Sequence, residues 1–222
     1  MCGRYLITSP LEALQQMFKF EERLNVPPNY NVAPTHEMPI VRIDESGWNR
    51  ELLKARWGLI PIWAKDKEIG YSTFNARADT VASKPAFRDA YKKRRCLVPA
   101  NGFFEWKKVG KDKQPHLIRL HDGELLAFAG LWSWWRNPSS GEEVTSYTII
   151  TTEPNELCKK IHDRMPVILS PKHYAQWLDP EADGAELLKP YPSHEMEAYP
   201  VNKRVGLVKH NDPGLLERVA GN

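Results

Sequence analysis

Four strand-like segments follow one another in the middle of the chain and constrain the fold more than any other feature. They are Gly102–Lys108, Pro115–Leu120, Leu125–Trp135 and Val144–Thr151. Each contains aromatic or branched apolar residues, and turns with Gly, Asp, Asn or Ser separate them, which is typical of paired strands. A sheet must bury its apolar face against another layer. The pattern therefore predicts a β-rich core.

The segments before this region predict both a helix and a hairpin. Ser9 is expected to cap a helix with Pro10 in its first turn and Glu12 completing a capping box. Met38–Ile43 and Leu52–Trp57 are strand-like and flank a turn with Ser46-Gly47, which predicts a hairpin. Residues 25–35 and 58–79 are expected to be loops, and long loops are more often functional than idle.

Three further helices and one strand complete the predicted elements. The helices are expected at Ser83–Arg94, Glu153–Ile161 and Pro171–Leu178, the last capped by Ser170, and the strand at Tyr199–Val208. The chain has no repeat, low-complexity run or linker. We therefore expect residues 1–222 to form a single α+β domain, β-rich, with a mixed, curved, barrel-like sheet and peripheral helices.

Composition and cysteine placement exclude several protein classes. With 41% hydrophobic and 27% charged residues, the chain has the profile of a soluble globular protein. Cys2, Cys96 and Cys158 form no close pair, so neither a disulfide scaffold nor a structural zinc site is expected. No signal-peptide pattern occurs, and Leu125–Trp135 is too short to span a bilayer. We expect a cytoplasmic protein that needs no metal or cofactor and makes no membrane contact.

Cys2 is the first candidate for chemistry. If Met1 is removed, which a small second residue permits, Cys2 carries an α-amine and a thiol two carbons apart. Their reference pKa values are about 8 and about 8.5, so both are partly nucleophilic near neutral pH. Such a pair can condense with an aldehyde to an imine that the thiol closes to a thiazolidine. An incidental cysteine on a frayed terminus is the alternative.

Glu105 and His162 are candidates for proton transfer. In a strand, Glu105 shares a face with Phe103 and lies opposite Phe104 and Trp106. A carboxyl group among aromatic rings tends to have a raised pKa, which suits a general acid or base. His162 can exchange protons near neutral pH. A solvent-facing glutamate and a structural histidine are the alternatives.

Polar and basic residues indicate an anionic partner. Asn75 can hold an amine or carbonyl, and Arg77 or Arg164 can clamp a phosphate. Lysines and arginines at 92–95 and 107–113, with Trp63 among the nearby aromatic residues, could line a groove for a single strand of nucleic acid. Solvated charged faces are the alternative, and the net charge of +3 decides nothing alone.

Six motifs, in this order, resemble the SOS response-associated peptidase (SRAP) family. They are Met1–Tyr5 (MCGRY), Tyr30–Pro34 (YNVAP), Arg56–Pro61 (RWGLIP), Asn75–Ala78 (NARA), Gly102–Trp106 (GFFEW) and His162–Pro166 (HDRMP). The resemblance runs from Cys2 to at least Leu169 and is weaker around Val201–Val208. One departure is Asp79, at a position where the family frequently has Glu.

The resemblance implies a monomeric, β-rich protein that binds single-stranded DNA and forms a covalent cross-link with abasic sites at the nucleoid. Met1 would be removed by a self-directed peptidase activity, and a lyase activity is also possible for such a family. By resemblance, the catalytic residues would be Cys2, Asn75, Glu105 and His162. The DNA-binding residues would be Arg4, Pro34, Trp63, Arg77, Thr151 and Arg164.

Two other functions stay open from the sequence. The first is an N-terminal-nucleophile amidohydrolase, because Met-Cys-Gly also opens enzymes that attack glutamine amides. That alternative does not account for the GFFEW and HDRMP motifs. The second is a non-covalent single-strand binder in which Cys2 plays no part. A conventional Cys–His protease fits the residues less well than either.

Overall fold

A five-strand ring organises the fold in the computed structural model, which describes residues 2–220 except the side chain of Asp122. In chain order the elements are β1 Tyr5–Ile7, α1 Leu11–Phe18, β2 Asn29–Val32, β3 Glu37–Ile43, β4 Arg50–Trp57, β5 Asn75–Arg77, α2 Arg88–Lys93, β6 Arg95–Ala100, β7 Gly102–Val109, β8 Asp112–Leu120, β9 Leu126–Arg136, β10 Glu143–Thr152, β11 Met165–Pro166, β12 Ile168–Leu169, α3 Tyr174–Leu178 and β13 Met196–Pro200.

The ring runs β10-β4-β3-β6-β9 and closes because β9 pairs back onto β10. Its β10–β4 pairing is parallel and the other four are antiparallel, so the barrel-like sheet is mixed. Three short strands extend it: β5 and β11 pair with β10, and β12 pairs with β9. A closed ring leaves no free edge among its members. The predicted β-rich fold with a mixed barrel-like sheet is confirmed.

A second, antiparallel sheet covers part of the barrel. Its order is β13-β8-β7-β1-β2. The two sheets share one hydrophobic core, in which the ring of Tyr5 lies 5.1 Å from that of Trp57 and 5.9 Å from that of Phe128. The Tyr5 and Tyr147 hydroxyls, both buried, are 2.7 Å apart and satisfy each other. The N-terminal strand β1 is thus fixed against the barrel.

Most predicted strands are confirmed, but six strands were missed, namely β1, β2, β5, β6, β11 and β12. The four central segments correspond to β7–β10, and the predicted hairpin is β3–β4 with Gly47 at φ 83° in its turn. The loop predicted over residues 25–35 contains β2, and the one over residues 58–79 contains β5 and a 3₁₀ helix at Lys67–Tyr71. Strand β6 was not predicted either.

The predicted helix starts and lengths are partly wrong. Helix α1 forms, but Pro10 is its N-cap, and the Ser9 hydroxyl donates to Asn101 Oδ1 at 3.2 Å, so no capping box exists. The segment predicted as a helix at Glu153–Ile161 contains only a 3₁₀ turn at Cys158–Lys160. The Asn155 side chain accepts from Cys158 N at 2.9 Å, as an N-cap does, and donates to Tyr191 O at 2.7 Å, so the helical turn begins only after Asn155.

The remaining elements are shorter than predicted or displaced. Only Arg88–Lys93 of the predicted helix at Ser83–Arg94 is helical, and Pro171–Leu178 divides into a 3₁₀ turn and α3. The last strand, β13, begins before Tyr199, and a 3₁₀ helix at Lys203–Gly206 follows it. No helix within residues 2–220 is both long and apolar enough to cross a bilayer.

Candidate functional site

Two of the motifs, NARA and HDRMP, lie at the carboxyl end of β10. Ile149 pairs with Asn75 and Thr151 pairs with Arg77 across the parallel β5–β10 contact. On the antiparallel side Thr151 pairs with Pro166, so the residues just before β11 come to the same end. Those residues include His162 and Arg164. The fold thus brings two motifs together at one strand end, although they are far apart in the sequence.

The second sheet supplies the other predicted reactive residues. Tyr5 pairs with Phe103, and the Phe104 amide donates to Arg4 O at 3.0 Å, so the segment before β1 runs beside β7. Glu105 on β7 reaches across to the first group, with its Oε2 atom 3.9 Å from His162 Nε2. The residues predicted as catalytic from four separate motifs therefore converge where the two sheets meet.

Cys2 is fully buried beside Glu105. Its Sγ atom lies 3.8 Å from Arg4 O. Burial, followed by the charge of the Glu105 carboxylate, raises the pKa of the Cys2 thiol far above its usual value. The sulfur therefore stays protonated at neutral pH and is a poor nucleophile on its own. A reaction through this sulfur therefore needs either a base that takes its proton or another atom that attacks first.

Glu105 has the electrostatic character predicted from its aromatic neighbours. Its side chain is 3% exposed. Phe103 belongs to the main core, while Phe104 and Trp106 belong to a second cluster, so Glu105 and Phe103 share a face as expected. Burial raises the pKa of Glu105 to about 7 because desolvation disfavours the anion. Such a carboxyl group can both donate and accept a proton near neutral pH.

His162 is held in one orientation by the chain that follows it. The Arg164 amide donates to His162 Nδ1 at 3.1 Å, which leaves the proton of the neutral imidazole on Nε2, facing Glu105. Asp163 Oδ1 is 3.0 Å from the same Nδ1 atom, but the Asp163 side chain is 89% exposed, so water screens this contact and the fixed amide decides the tautomer. Burial lowers the pKa of His162, which favours the neutral form.

Asn75 presents an acceptor at the same strand end. Its Nδ2 atom donates to Phe74 O at 3.0 Å and, more weakly, to Ile149 O at 3.5 Å. Its Oδ1 atom is buried and has no hydrogen-bond partner within residues 2–220. A buried amide oxygen without a partner is costly, and such atoms are typical of sites that bind a ligand group. An amine or hydroxyl of a substrate could satisfy it.

Arg4 and Arg164 present donors, whereas Thr151 does not face outwards. Arg164 Nη2 donates to the Thr151 carbonyl and, at 3.2 Å, to its hydroxyl. Thr151 is fully buried, so its hydroxyl would act on a phosphate only through Arg164. The Nε atoms of Arg4 and Arg164 are buried and have no hydrogen-bond partner in the described part of the chain. Both arginines retain donors for an anion.

The loops that carry Pro34 and Trp63 lie at the end of β4. The Thr35 amide donates to Trp57 O at 2.8 Å, which fastens the Pro34 loop where the Trp63 loop begins. Thr35 has φ 81°, an unfavourable value for a branched residue and a local strain of the kind that binding loops carry. Trp63 and its neighbour Ile62 are both more than half exposed. The Pro34 loop is thus rigidly attached, and the next loop presents two large apolar side chains to solvent.

Cys158 belongs near this site, although its sequence context did not single it out. The His162 amide donates to Cys158 O at 2.8 Å. Burial, followed by the charge of Glu105, raises the pKa of the Cys158 thiol to about 12. The sequence signal for this proximity is the spacing of four residues between Cys158 and His162, which corresponds to one helical turn.

Metal chemistry has no evident support among these residues. Residues 2–220 contain no group of three or more His, Cys, Asp or Glu side chains placed to hold a metal ion. The site consists instead of a thiol, a buried acid, an imidazole, an amide and several guanidinium groups. This set can transfer protons and bind an anionic substrate.

Comparisons with known proteins agree with this fold and place the chain in a family. The family model described as SOS response associated peptidase (SRAP) matches residues 1–208. The abasic site processing protein YoqW of Bacillus subtilis is 44% identical over 225 residues, covering 98% of this chain and 99% of its own. The abasic site processing protein HMCES of Xenopus tropicalis is 32% identical over 86% of this chain and 66% of its own. A crystal structure of a Bacteroides thetaiotaomicron protein superposes with a TM-score of 0.90, at 30% identity, over 99% of this chain and 100% of that one.

Proposed function

Because the chain belongs to the SOS response-associated peptidase family, we propose that it processes abasic sites in single-stranded DNA by bonding covalently to them through Cys2. Abasic site processing proteins are among its relatives over nearly the whole length. The observation that carries the proposal is the Glu105 carboxyl, with a pKa of about 7, buried beside the Cys2 thiol and 3.9 Å from His162. Burial of an ionisable acid is costly, and perturbed carboxyl groups of this kind cluster at functional sites.

Hydrolysis of the Met1–Cys2 peptide bond would be the first step. Met1 itself lies outside the described residues. Water adds to the Met1 carbonyl carbon and the peptide bond breaks, so that Cys2 gains a free α-amine and methionine leaves. Peptidase activity would in this way act on the chain itself.

In the capture of the lesion, the Cys2 nitrogen would form its bond first and the Cys2 sulfur second. An abasic sugar exists mostly as a closed hemiacetal, and Glu105 is placed to donate a proton that helps the ring open to an aldehyde. The Cys2 amine attacks the aldehyde carbon, and loss of water leaves an imine. The thiol adds to the imine carbon while its proton passes to nitrogen, which closes a five-membered thiazolidine. The high pKa of the buried thiol suits this order, because the amine attacks first.

The other residues would position these reacting atoms. His162, which is neutral and carries its proton on Nε2, can exchange protons with Glu105 as water leaves. Asn75 Oδ1 would accept a hydrogen bond from the amine. Arg4, Arg77 and Arg164 would bind phosphates beside the lesion, with Thr151 holding Arg164 in place. Pro34 and the exposed Trp63 would shape the path of the strand.

Intact mass measurement under denaturing conditions tests the proposal directly. The protein is incubated with a single strand that carries one abasic site, and with the same strand carrying a tetrahydrofuran analogue that has no aldehyde. We expect a species equal to the protein without Met1, plus the DNA, minus one water, with the first strand only. Absence of that species, or an active protein that still carries Met1, would contradict the proposal.

Arg77→Ala should weaken DNA binding without slowing the chemistry. Removal of one phosphate contact is expected to lower the slope of log K against log salt by about 0.7 for a single strand. The cross-linking rate at saturating DNA should stay near that of the wild type, because Arg77 touches none of the reacting groups. Fluorescence anisotropy over a salt series and single-turnover gels measure the two quantities.

Arg88→Ala is the matched control for Arg77→Ala. The Arg88 and Arg77 side chains are equally exposed, and each lies beside an aspartate, Asp89 at 3.4 Å and Asp79 at 2.7 Å. The control variant should retain the salt slope of the wild type. An Arg77→Ala protein with an unchanged slope would remove this arginine from the DNA contact.

A further inference from the structure

Resting on the proposed function, we propose that Asp79 occupies the phosphate-binding edge of Arg77 in the free protein and thereby weakens binding to undamaged single strands. In this view Asp79 is a specificity-determining residue. It opposes binding through the DNA backbone, which every strand offers, and leaves covalent capture, which only a lesion offers, unaffected.

The geometry of the Arg77–Asp79 pair is that of an arginine bound to an oxyanion. Arg77 Nε donates to Asp79 Oδ1 at 3.1 Å and Arg77 Nη2 donates to Oδ2 at 2.7 Å. Two parallel bonds from one guanidinium edge are also how arginine binds a phosphate. A phosphate cannot use that edge while the carboxylate does.

The local backbone fixes the carboxylate at this place. The Ala78 amide donates to Thr151 O at 2.8 Å and ends the pairing of β5 with β10. The Thr80 amide then donates to Arg77 O at 3.1 Å, so the chain turns directly after Arg77. Asp79 lies within this turn and its side chain returns to Arg77. The spacing of two residues is therefore enough to form the pair.

Asp79 also balances the charges of two neighbouring guanidinium groups. Arg77 lies opposite Thr151, to which Arg164 is hydrogen-bonded. Burial, and after it the positive charge of Arg77, lowers the pKa of Arg164, whereas Asp79 acts in the opposite direction. Without DNA, the carboxylate offsets the repulsion between the two cations. A DNA phosphate would do the same on binding, so the two anions compete for one role.

Exposure makes the pair breakable. The Arg77 and Asp79 side chains are 54% and 53% exposed. Exposed ion pairs contribute little to stability, so a phosphate can displace Asp79 at a modest cost. That cost applies to every strand that binds. At an abasic site the covalent bond holds the DNA once it has formed, so the cost of displacing Asp79 matters only before that step. On undamaged DNA no such bond forms, and the same cost lowers the affinity.

Binding to undamaged DNA in a protein that cannot cross-link isolates this effect. Cys2→Ala is compared with Cys2→Ala/Asp79→Asn on a single strand of about 20 nucleotides over a salt series. At about 0.1 M salt we expect Asp79→Asn to tighten binding roughly threefold to tenfold, because the ion pair no longer has to break and a charge that repels the phosphates is gone. The slope of log K against log salt should change little, because Arg77 binds the same phosphate once Asp79 is displaced.

Two variants control for a general charge effect. Asp212 pairs with Arg204 at the same distance of 2.7 Å, and the two side chains are 42% and 45% exposed. Asp212→Asn removes the same charge and keeps the cap on Gly214 N, because Asn caps as well as Asp. It should change affinity less than twofold. Asp79→Glu should restore weak binding, since it keeps a carboxylate within reach of Arg77.

The outcomes separate this inference from the proposed function. Weaker binding by Asp79→Asn would mean that Asp79 orients Arg77 for the phosphate, and unchanged binding would mean that the pair has no effect on DNA; either result overturns the inference. With Cys2 intact, Asp79→Asn should make cross-linking more sensitive to undamaged competitor strands. If no cross-link forms with any variant, the proposed chemistry fails while the binding result still stands.

Discussion

Cys2→Ala should lower the yield of denaturation-resistant DNA adduct by more than about a hundredfold. The reason is that the variant lacks the sulfur that converts a hydrolysable imine into a thiazolidine. With Met1 removed, its α-amine still condenses with the aldehyde. Borohydride, which delivers hydride to the imine carbon, should therefore recover the adduct. Denaturing gels with and without borohydride thus measure the contributions of nitrogen and sulfur separately.

Cys96→Ala is the matched control for this experiment. Cys96 is also fully buried, but it lies on β6 within the barrel. Its replacement should leave the yield without borohydride unchanged. An equal yield for Cys2→Ala and the wild type without borohydride would show that the thiol takes no part. The mass of the purified Cys2→Ala protein shows whether Met1 has left; if Met1 remains, the α-amine that borohydride traps is that of Met1, and the thiol also serves in self-processing.

Glu105→Gln should slow cross-linking by a factor of about 10² to 10⁴, the usual contribution of a positioned general acid or base. The pH dependence is more specific than the size of the effect. With its pKa of about 7, Glu105 is progressively lost as a proton donor when pH rises through neutrality, while the amine is freed near pH 8. The wild-type rate should therefore pass through a maximum. Glu105→Gln should lose the alkaline decline, because glutamine does not titrate.

The same substitution should stabilise the fold at high pH. In the unfolded chain Glu105 has its ordinary pKa of 4.5, against about 7 when folded. Between these values the folded state binds one proton more than the unfolded state, so stability falls as pH rises and the loss is complete above about pH 7. Relative to the wild type, Glu105→Gln should gain up to about 3 kcal/mol at pH 8 and little at pH 4.

Urea unfolding at the two pH values measures this difference. A Glu105→Gln protein that is less stable than the wild type at both would show that the carboxyl group supports the fold rather than straining it. A rate profile that keeps its alkaline decline would assign that decline to another group. If Glu105→Gln cross-links more slowly and has a higher free energy of unfolding than the wild type, the carboxyl group serves activity at the expense of stability.

The sequence predicted the surroundings of Glu105 better than it predicted the supporting elements. Alternation along GFFEW placed Glu105 on the Phe103 face, and the structure confirms that side and the burial. The convergence of Asn75 with His162 could not be inferred from local pattern. It depends on β5 and β11 both pairing with β10, and those pairings join residues far apart in sequence.

Local rules argued against the strand that was missed in the barrel. Strand β6 begins with Arg95 and contains Pro99, two residues that rarely occur in a buried strand. In the structure Arg95 donates to the carbonyls of Tyr91, Asp179 and Ala182. These acceptors satisfy the guanidinium, and two of them, Asp179 and Ala182, lie more than 80 residues along the chain, outside any sequence window around β6. Tertiary contacts therefore overrode the local preference.

One strand serves two purposes in this fold. Strand β10 completes the five-strand ring through β4 and β9, and it also holds β5 and β11, which bring Asn75, Arg77 and the HDRMP segment together. A copy whose barrel has not closed, during synthesis or after damage, consequently lacks an assembled site. Any reaction at this site is thereby confined to molecules that have finished folding.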